Sequence, residues 1–184
     1  MSAQTKLLGK RARKLTLWVH VLSSSLWLGS AMAMVVLLLA KWRHLEWASV
    51  SDSVPLVYGI LLAVKLIDDY VIIASCGVSA LSGMLLSWKT PWGFFKWWWV
   101  AVKFVITLAL LLSGASLLGP WINASEELAR ARLSGPIDEQ RLALLDSLVS
   151  GLGGSQVLIL GFLMFASTYK PWGKIARARS HADE

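Results

Sequence analysis

Two ionisable side chains, His20 and Lys103, lie inside long apolar stretches of this 184-residue sequence. His20 follows the basic residue Lys14 by six positions, and Lys103 follows Lys96 by seven. At about 1.5 Å per helical residue, each would lie roughly 9–11 Å beyond the basic end of its helix. Ionisable groups are costly to bury in a membrane, so they are functional candidates there. We therefore predict a site in which His20 and Lys103 lie at one depth.

Helical spacing predicts which residues accompany this pair, because residues three or four positions apart share one face of a helix. Small residues on the facing helix allow close packing, or they leave room for a flat ligand. A four-helix bundle built around such a polar stripe can hold a cofactor in its core. The candidate site residues are His20, Ser24 and Trp27 on the first helix, Ser79 and Gly83 on the second, and Lys103 and Thr107 on the third.

Each of these features also has a structural interpretation. Lys103 can extend its ammonium group to nearby headgroups. His20 can hydrogen-bond a neighbouring helix, and small residues can serve packing alone. Copper binding by Met and His is weakly supported, since Met32 and Met34 face different directions on their helix.

One neutral imidazole inside a bundle is sufficient as an axial ligand of haem b. The other histidines cannot pair with His20 within one chain. His44 lies roughly 36 Å further along the same helix, and His181 lies in the C-terminal tail. A haem would be held by His20 alone, or with Lys103, a methionine or an exogenous molecule as sixth ligand. A basic residue could instead pair with a propionate.

The elements that must position these residues are membrane-spanning helices. The sequence is 56% hydrophobic and 16% charged, whereas soluble domains carry about 25% charged residues. The net charge of +7 comes from basic residues at the ends of apolar runs, which favours membrane orientation over nucleic-acid binding. A single cysteine, Cys76, excludes an internal disulfide. Segments of roughly 20 apolar residues predict spans at about 15–40, 71–88, 97–118 and 148–169.

The stretch 54–88 admits two interpretations, because Lys65, Asp68 and Asp69 divide it. With four spans, 54–67 is an interfacial helix or an extension of the second helix. With five spans, the stretch is two short crossings. Four spans place eleven basic residues inside and six outside, which fits the positive-inside rule, and five do not. We predict an all-α, single-domain membrane protein, a four-transmembrane-helix bundle with cytoplasmic N and C termini.

The outer segment 119–147 is predicted to form two helical pieces. Ser125, followed by two glutamates, is a favourable helix start. Gly135 and Pro136 would break the helix, and the second piece would continue into the fourth span.

Short motifs over nearly the whole chain resemble a family of uncharacterised bacterial four-helix integral membrane proteins. The motifs are His20 with Trp27-Leu28-Gly29, Leu81-Ser82-Gly83, Trp92-Gly93, Trp99-Val100-Ala101-Val102-Lys103 and Tyr169-Lys170-Pro171-Trp172-Gly173. More distantly, the layout is similar to four-helix membrane protoporphyrinogen oxidases and to copper-resistance D-type membrane domains. The oxidase family uses a first-helix histidine and a third-helix lysine and binds haem b. The resemblance implies these roles for His20 and Lys103, in a bacterial inner membrane. The longer second-span region and the Trp cluster depart from the oxidases.

These observations give a leading hypothesis and two others. The leading hypothesis is a haem b-binding membrane protein with a redox or haem/porphyrin-related role, which as an enzyme would be a membrane oxidoreductase. The alternative is a non-catalytic membrane subunit or scaffold without a cofactor, and the third is a copper transporter. The expected partners are membrane lipid and either copies of the chain or a larger membrane complex, with no nucleic acid.

Overall fold

The computed structural model describes residues 8–45, 50–89, 96–170 and 172–173, and these residues fold into helices joined by short turns. Two of the joints are π-helical segments, Ile67–Ile72 and Gly114–Leu118, in which the backbone stays helical. The described chain therefore forms four long helical rods, and the all-α class is confirmed. The helices are α1 Lys10–Leu45, α2 Val50–Leu66, α3 Ile73–Lys89, α4 Trp98–Ser113, α5 Gly119–Ala131 and α6 Glu139–Tyr169.

Backbone hydrogen bonds place the ends of the rods relative to one another. The amide of Leu8 donates to the carbonyl of Lys89 at 3.1 Å, and the amide of Trp98 donates to the carbonyl of Gly173 at 3.4 Å. The start of α1, the end of α3, the start of α4 and the end of α6 therefore lie together, at what we call the proximal end. The distal end holds the end of α1, the start of α2, the end of α5 and the start of α6.

Two apolar clusters fill the space between the rods. The distal cluster has more buried residues than the central cluster, which lies nearer the proximal end. The outward surface is also apolar, with Leu158 76% exposed and Val105 61% exposed. The distal cluster consists of Met34, Leu38, Val57, Leu61, Val64, Leu118, Ile122, Ala129, Leu142 and Val149, and the central cluster of Trp27, Leu110, Leu160 and Leu163.

Among the described residues, three helices are long and apolar enough to cross a membrane, by their length and composition. They are Lys10–Arg43, Trp98–Ala131 and Glu139–Tyr169. Together with the exposed apolar surface, they are compatible with a multi-pass membrane protein. The predicted second span, 71–88, falls largely on α3, which has 17 residues.

The structure differs from the sequence prediction in the segment 119–147. Ser125 is not a helix start, because α4 continues through its π-helical segment into α5 and leaves Ser125 in mid-helix, 1% exposed. The helix breaks over residues 132–138, which include Gly135 and Pro136. Asp138 caps α6 by accepting a hydrogen bond from the amide of Arg141 at 2.9 Å. Residues 54–67 were predicted to form either an interfacial helix or an extension of the second helix. In the structure they belong to a rod that continues into α3 through the π-helical segment Ile67–Ile72.

Candidate functional site

The imidazole of His20 lies between α1 and α3. Its Nδ1 is 2.9 Å from the backbone carbonyl oxygen of Ser79 and 3.2 Å from the hydroxyl of Ser82. A carbonyl oxygen can only accept, so Nδ1 carries the proton and donates to Ser79. In the neutral ring this leaves the lone pair on Nε2. Metal-binding histidines commonly have this arrangement, in which the second ring nitrogen donates to a carbonyl.

Gly83 provides the surface on which this imidazole rests. A Cβ atom at position 83 would lie 3.0 Å from Cε1 of His20 and 3.4 Å from its Nδ1. Real Cβ contacts are rarely this short, so a side chain there would displace the ring. Gly77, on the same helix, has no neighbouring atom within 4 Å of its Cβ position. The absence of a side chain therefore matters at position 83 and not at position 77.

Serine hydroxyls surround the His20 ring and link α1 to α3. The hydroxyls of Ser24 and Ser79 are 2.7 Å apart, and Ser24 is also 2.7 Å from the carbonyl oxygen of His20. Ser79 and Ser82 are 4% and 8% exposed. These contacts fix the facing surfaces of the two helices and the orientation of the imidazole. His20, Ser24, Ser79 and Gly83 are thus brought together, as their spacing predicts.

Lys103 approaches the same region from α4. Its ammonium donates a hydrogen bond to the hydroxyl of Ser167 on α6. It also lies close enough for its charge to act on the imidazole of His20. The pair predicted to share one depth is therefore within electrostatic range, although Lys103 is hydrogen-bonded to a different helix.

The other two predicted site residues lie apart from this cluster. Trp27 is 4% exposed and belongs to the central cluster. Its indole N–H is buried and has no hydrogen-bond partner within the described part of the chain. Thr107 lies one turn beyond Lys103 on α4 and is half-buried.

Sequence reasoning missed a buried ion pair at the distal end. Lys41 on α1 and Asp146 on α6 form a salt bridge, with the residues 1% and 7% exposed. The second carboxylate oxygen of Asp146 has no hydrogen-bond partner among the described residues. The helical spacing of the sequence could have indicated that Asp146 is buried, because Asp146 lies between Leu142 and Val149 on the face of α6 that reaches the distal cluster. Lys41 likewise follows the buried Leu38 by three positions.

A second group of charges lies where α2 joins α3. Burial, and to a smaller extent the neighbouring negative charge of Asp69, raise the pKa of Asp68 to about 6, although Lys65 opposes both effects. Lys65 is 3.0 Å from the carboxylate of Asp69 and donates to the side-chain oxygen of Asn123 on α5. Asp68 therefore carries an unfavourable negative charge above pH 6.

This raised pKa predicts how stability depends on pH. Between about pH 4 and pH 6, folded Asp68 holds a proton that the unfolded chain has lost, so stability falls as the pH rises through this window. We expect Asp68→Asn to raise the melting temperature at pH 7.5 by about 2–4 °C, which corresponds to about 1 kcal/mol after solvent screening. At pH 4.5 the variant and the parent protein should melt at closely similar temperatures.

The measurement is thermal unfolding in detergent at the two pH values. Glu127→Gln is the matched control, because it removes an exposed carboxylate elsewhere, on α5. It should not reproduce the gain of Asp68→Asn at pH 7.5. An equal gain at both pH values would exclude proton uptake by Asp68 as its cause.

Comparison with protein-family models, with curated proteins and with solved structures finds no match to this chain. The described residues also contain no group of three or more His, Cys, Asp or Glu side chains that could hold a metal ion. A metal bound only by clustered side chains is therefore not supported in this part of the chain.

The residues present fit a haem in three respects. Donation from Nδ1 to Ser79 leaves Nε2 of His20 available as an axial ligand. Gly83 has no side chain, so the ring packs directly against α3 and is held in place there. Lys103 supplies a cation within electrostatic range of this histidine. The local geometry therefore suits one axial nitrogen ligand and one nearby positive charge.

Proposed function

We propose that this chain is a four-span bacterial inner-membrane protein that binds haem b through His20. The supporting observation is the hydrogen bond from Nδ1 of His20 to the carbonyl of Ser79, which orients the ring and leaves Nε2 for the iron. Haem b, when bound, supplies one-electron redox chemistry at its iron. The role of the protein would be redox or haem/porphyrin-related.

The charge distribution supports the proposed orientation, with both termini in the cytoplasm. In the described chain, seven basic residues lie at the proximal end and six lie in the distal half. Basic residues are retained on the cytoplasmic side of a membrane. The proximal end would therefore face the cytoplasm, with α3 as the fourth crossing. The seven proximal residues are Lys10, Arg11, Arg13, Lys14, Lys89, Lys96 and Lys170.

Lys103 would act on the haem through its charge, and it would not be one of the residues that hold the His20 ring. Its ammonium has three donors, and Ser167 accepts one of them. A propionate carboxylate could accept another, which would form a charge-assisted hydrogen bond. In a second arrangement, Lys103 would itself be the sixth ligand of the haem iron, which requires a deprotonated amine.

Titration of the purified full-length protein with haem b tests this proposal. We expect a Soret band that saturates at one haem per chain. Gly83→Ala should weaken haem binding about tenfold or more, because the added methyl group displaces the imidazole. Gly77→Ala on the same helix is the matched control and should leave the affinity unchanged.

Two results would contradict the proposal. One is the lack of a Soret band in protein that is helical by circular dichroism and monodisperse in detergent. The other is equal haem affinity in the two glycine variants. The first result, together with a defined oligomer in native mass spectrometry, would favour the alternative function as a membrane subunit or scaffold without a cofactor.

A further inference from the structure

Two serines in the distal half, Ser125 on α5 and Ser150 on α6, make no hydrogen bond to their own helices. Serine hydroxyls inside helices commonly donate to the carbonyl three or four residues earlier. Ser147 and Ser155 on α6 do so, at 2.9 and 2.7 Å. Within the described part of the chain, the buried hydroxyls of Ser125 and Ser150 have no hydrogen-bond partner. Both hydroxyls are therefore available to a further partner.

A carboxylate oxygen of Asp146 lies one helical turn from Ser150. Lys41 binds Oδ2 of Asp146, whereas the buried Oδ1 has no hydrogen-bond partner among the described residues. Residues four positions apart lie on one helix face, with about 5–6 Å between their Cβ atoms. Helical side chains also lean toward the N-terminus, which brings Ser150 toward Asp146. A molecule between them can therefore contact the hydroxyl and Oδ1 together.

Ser125 lies at the same level of the bundle as this pair. In three rods, a residue of the central cluster is followed, 14 or 15 positions further toward the distal end, by a polar residue. This distance is about 21–22 Å of helix in each rod. Ser125 also shares the buried face of α5 with Ile122 and Ala129, which pack in the distal cluster with residues of α6. The three pairs are Trp27 with Lys41, Leu110 with Ser125, and Leu160 with Asp146.

The surroundings of Asp146 and Ser150 define the size and charge of a molecule that fits there. Gly154 lies one turn beyond Ser150 on the same face, and a Cβ at this position would have no neighbouring atom within 4 Å. The ammonium of Lys41 balances the carboxylate of Asp146, so an ion of either sign would be repelled by one of them. A small neutral molecule that both donates and accepts hydrogen bonds fits. Water has this chemistry, and a buried water typically makes about three hydrogen bonds.

We propose that a buried water molecule binds between α5 and α6, at the distal water site, which is formed by Asp146, Ser150 and Ser125. The water donates to Oδ1 of Asp146 and to the hydroxyl of Ser125, and it accepts from the hydroxyl of Ser150. Every polar group at the site is then paired, as is usual for buried groups. The Lys41–Asp146 pair gains a hydrogen bond that no other group among the described residues supplies. The site is independent of haem, because none of its residues belongs to the cluster around His20.

Thermal unfolding of the full-length protein in detergent tests the site through the sign of the effect. Ser150→Ala removes a partner of the water and should lower the melting temperature by about 2–4 °C relative to the control. Without the water, the variant would remove only an unpaired buried hydroxyl, and the melting temperature would stay equal or rise. Ser155→Ala is the matched control, because Ser155 is also half-buried on α6 but donates to the carbonyl of Leu152. Ser125→Ala should show the same loss as Ser150→Ala.

Two further measurements distinguish a bound water from a direct contact. In a crystal structure of the full-length protein, a water peak should lie about 3 Å from Oδ1 of Asp146 and from the hydroxyl of Ser150. In the Lys41→Met/Asp146→Leu background, which lacks the carboxylate, Ser150→Ala should no longer lower the melting temperature. A direct hydrogen bond between Ser150 and Asp146 in place of the water peak would overturn the proposal. A melting temperature of Ser150→Ala at or above that of Ser155→Ala would do the same.

Discussion

Replacement of Lys41 by methionine is expected to destabilise the protein by about 3–5 kcal/mol. Lys41 is 1% exposed, and its ammonium pairs with the carboxylate of Asp146, which is 7% exposed. Methionine has a similar length and no charge, so the variant keeps most of the packing and leaves a buried carboxylate without its partner. Desolvation of that charge is no longer compensated, and this accounts for the large loss.

The double variant Lys41→Met/Asp146→Leu separates charge from packing. It removes both buried charges and places apolar groups in the distal cluster, beside Leu38, Leu142 and Val149. Replacement of a buried ion pair by apolar residues is often neutral or stabilising. We therefore expect the double variant to regain most of the stability that Lys41→Met loses.

A half-exposed pair in the same protein provides the control. Lys65 and Asp69 are 3.0 Å apart, with their side chains 27% and 37% exposed. Lys65→Met should cost at most about 1 kcal/mol, because solvent screens this pair. The measurement is the free energy of unfolding in a mixed-micelle denaturation series. Equal losses for Lys41→Met and Lys65→Met would show that burial of the Lys41–Asp146 pair contributes little.

The sequence was sufficient to predict the all-helical class and most of the residues around His20, although it did not predict that α4 continues into α5. Helical rise placed His20 and Lys103 at one depth, because α1 and α4 each run without a break through this region. Helical spacing placed Ser79 and Gly83 on one face of α3, and the structure brings that face to His20. Local periodicity was informative here because the contact is between two regular helices.

Partners that depend on tertiary packing could not be predicted in the same way. Ser167 is one of several hydroxyls near the end of α6, and only the relative rotation of α4 and α6 brings it to Lys103. The predicted first span ends at residue 40 and so leaves Lys41 outside it, whereas α1 extends to Leu45. No sequence pattern as clear as helical periodicity predicts the π-helical segment Ile67–Ile72, although this segment joins α2 to α3.

Replacement of His20 by glycine is expected to abolish the Soret band of the haem-loaded protein. The variant removes the axial nitrogen that His20 would supply and leaves a space bounded by Ser79, Ser82 and Gly83. Glycine within a helix costs about 1 kcal/mol relative to alanine, which the remaining helix packing should tolerate. The loss of the band would therefore reflect loss of the iron ligand rather than unfolding.

Free imidazole distinguishes these two causes. It has the shape of the missing ring, and it can donate through one nitrogen to the carbonyl of Ser79 while the other binds iron. Millimolar imidazole should restore the Soret band in His20→Gly, and the added Gly83→Ala change should reduce this rescue, since its methyl group occupies the same space. His44→Ala is the matched control and should keep the band without imidazole. A persistent band in His20→Gly would show that another group binds the haem iron. The folded variant could also lose the Soret band and not regain it with imidazole. This result would show that Ser79 and Gly83 do not position the axial ligand.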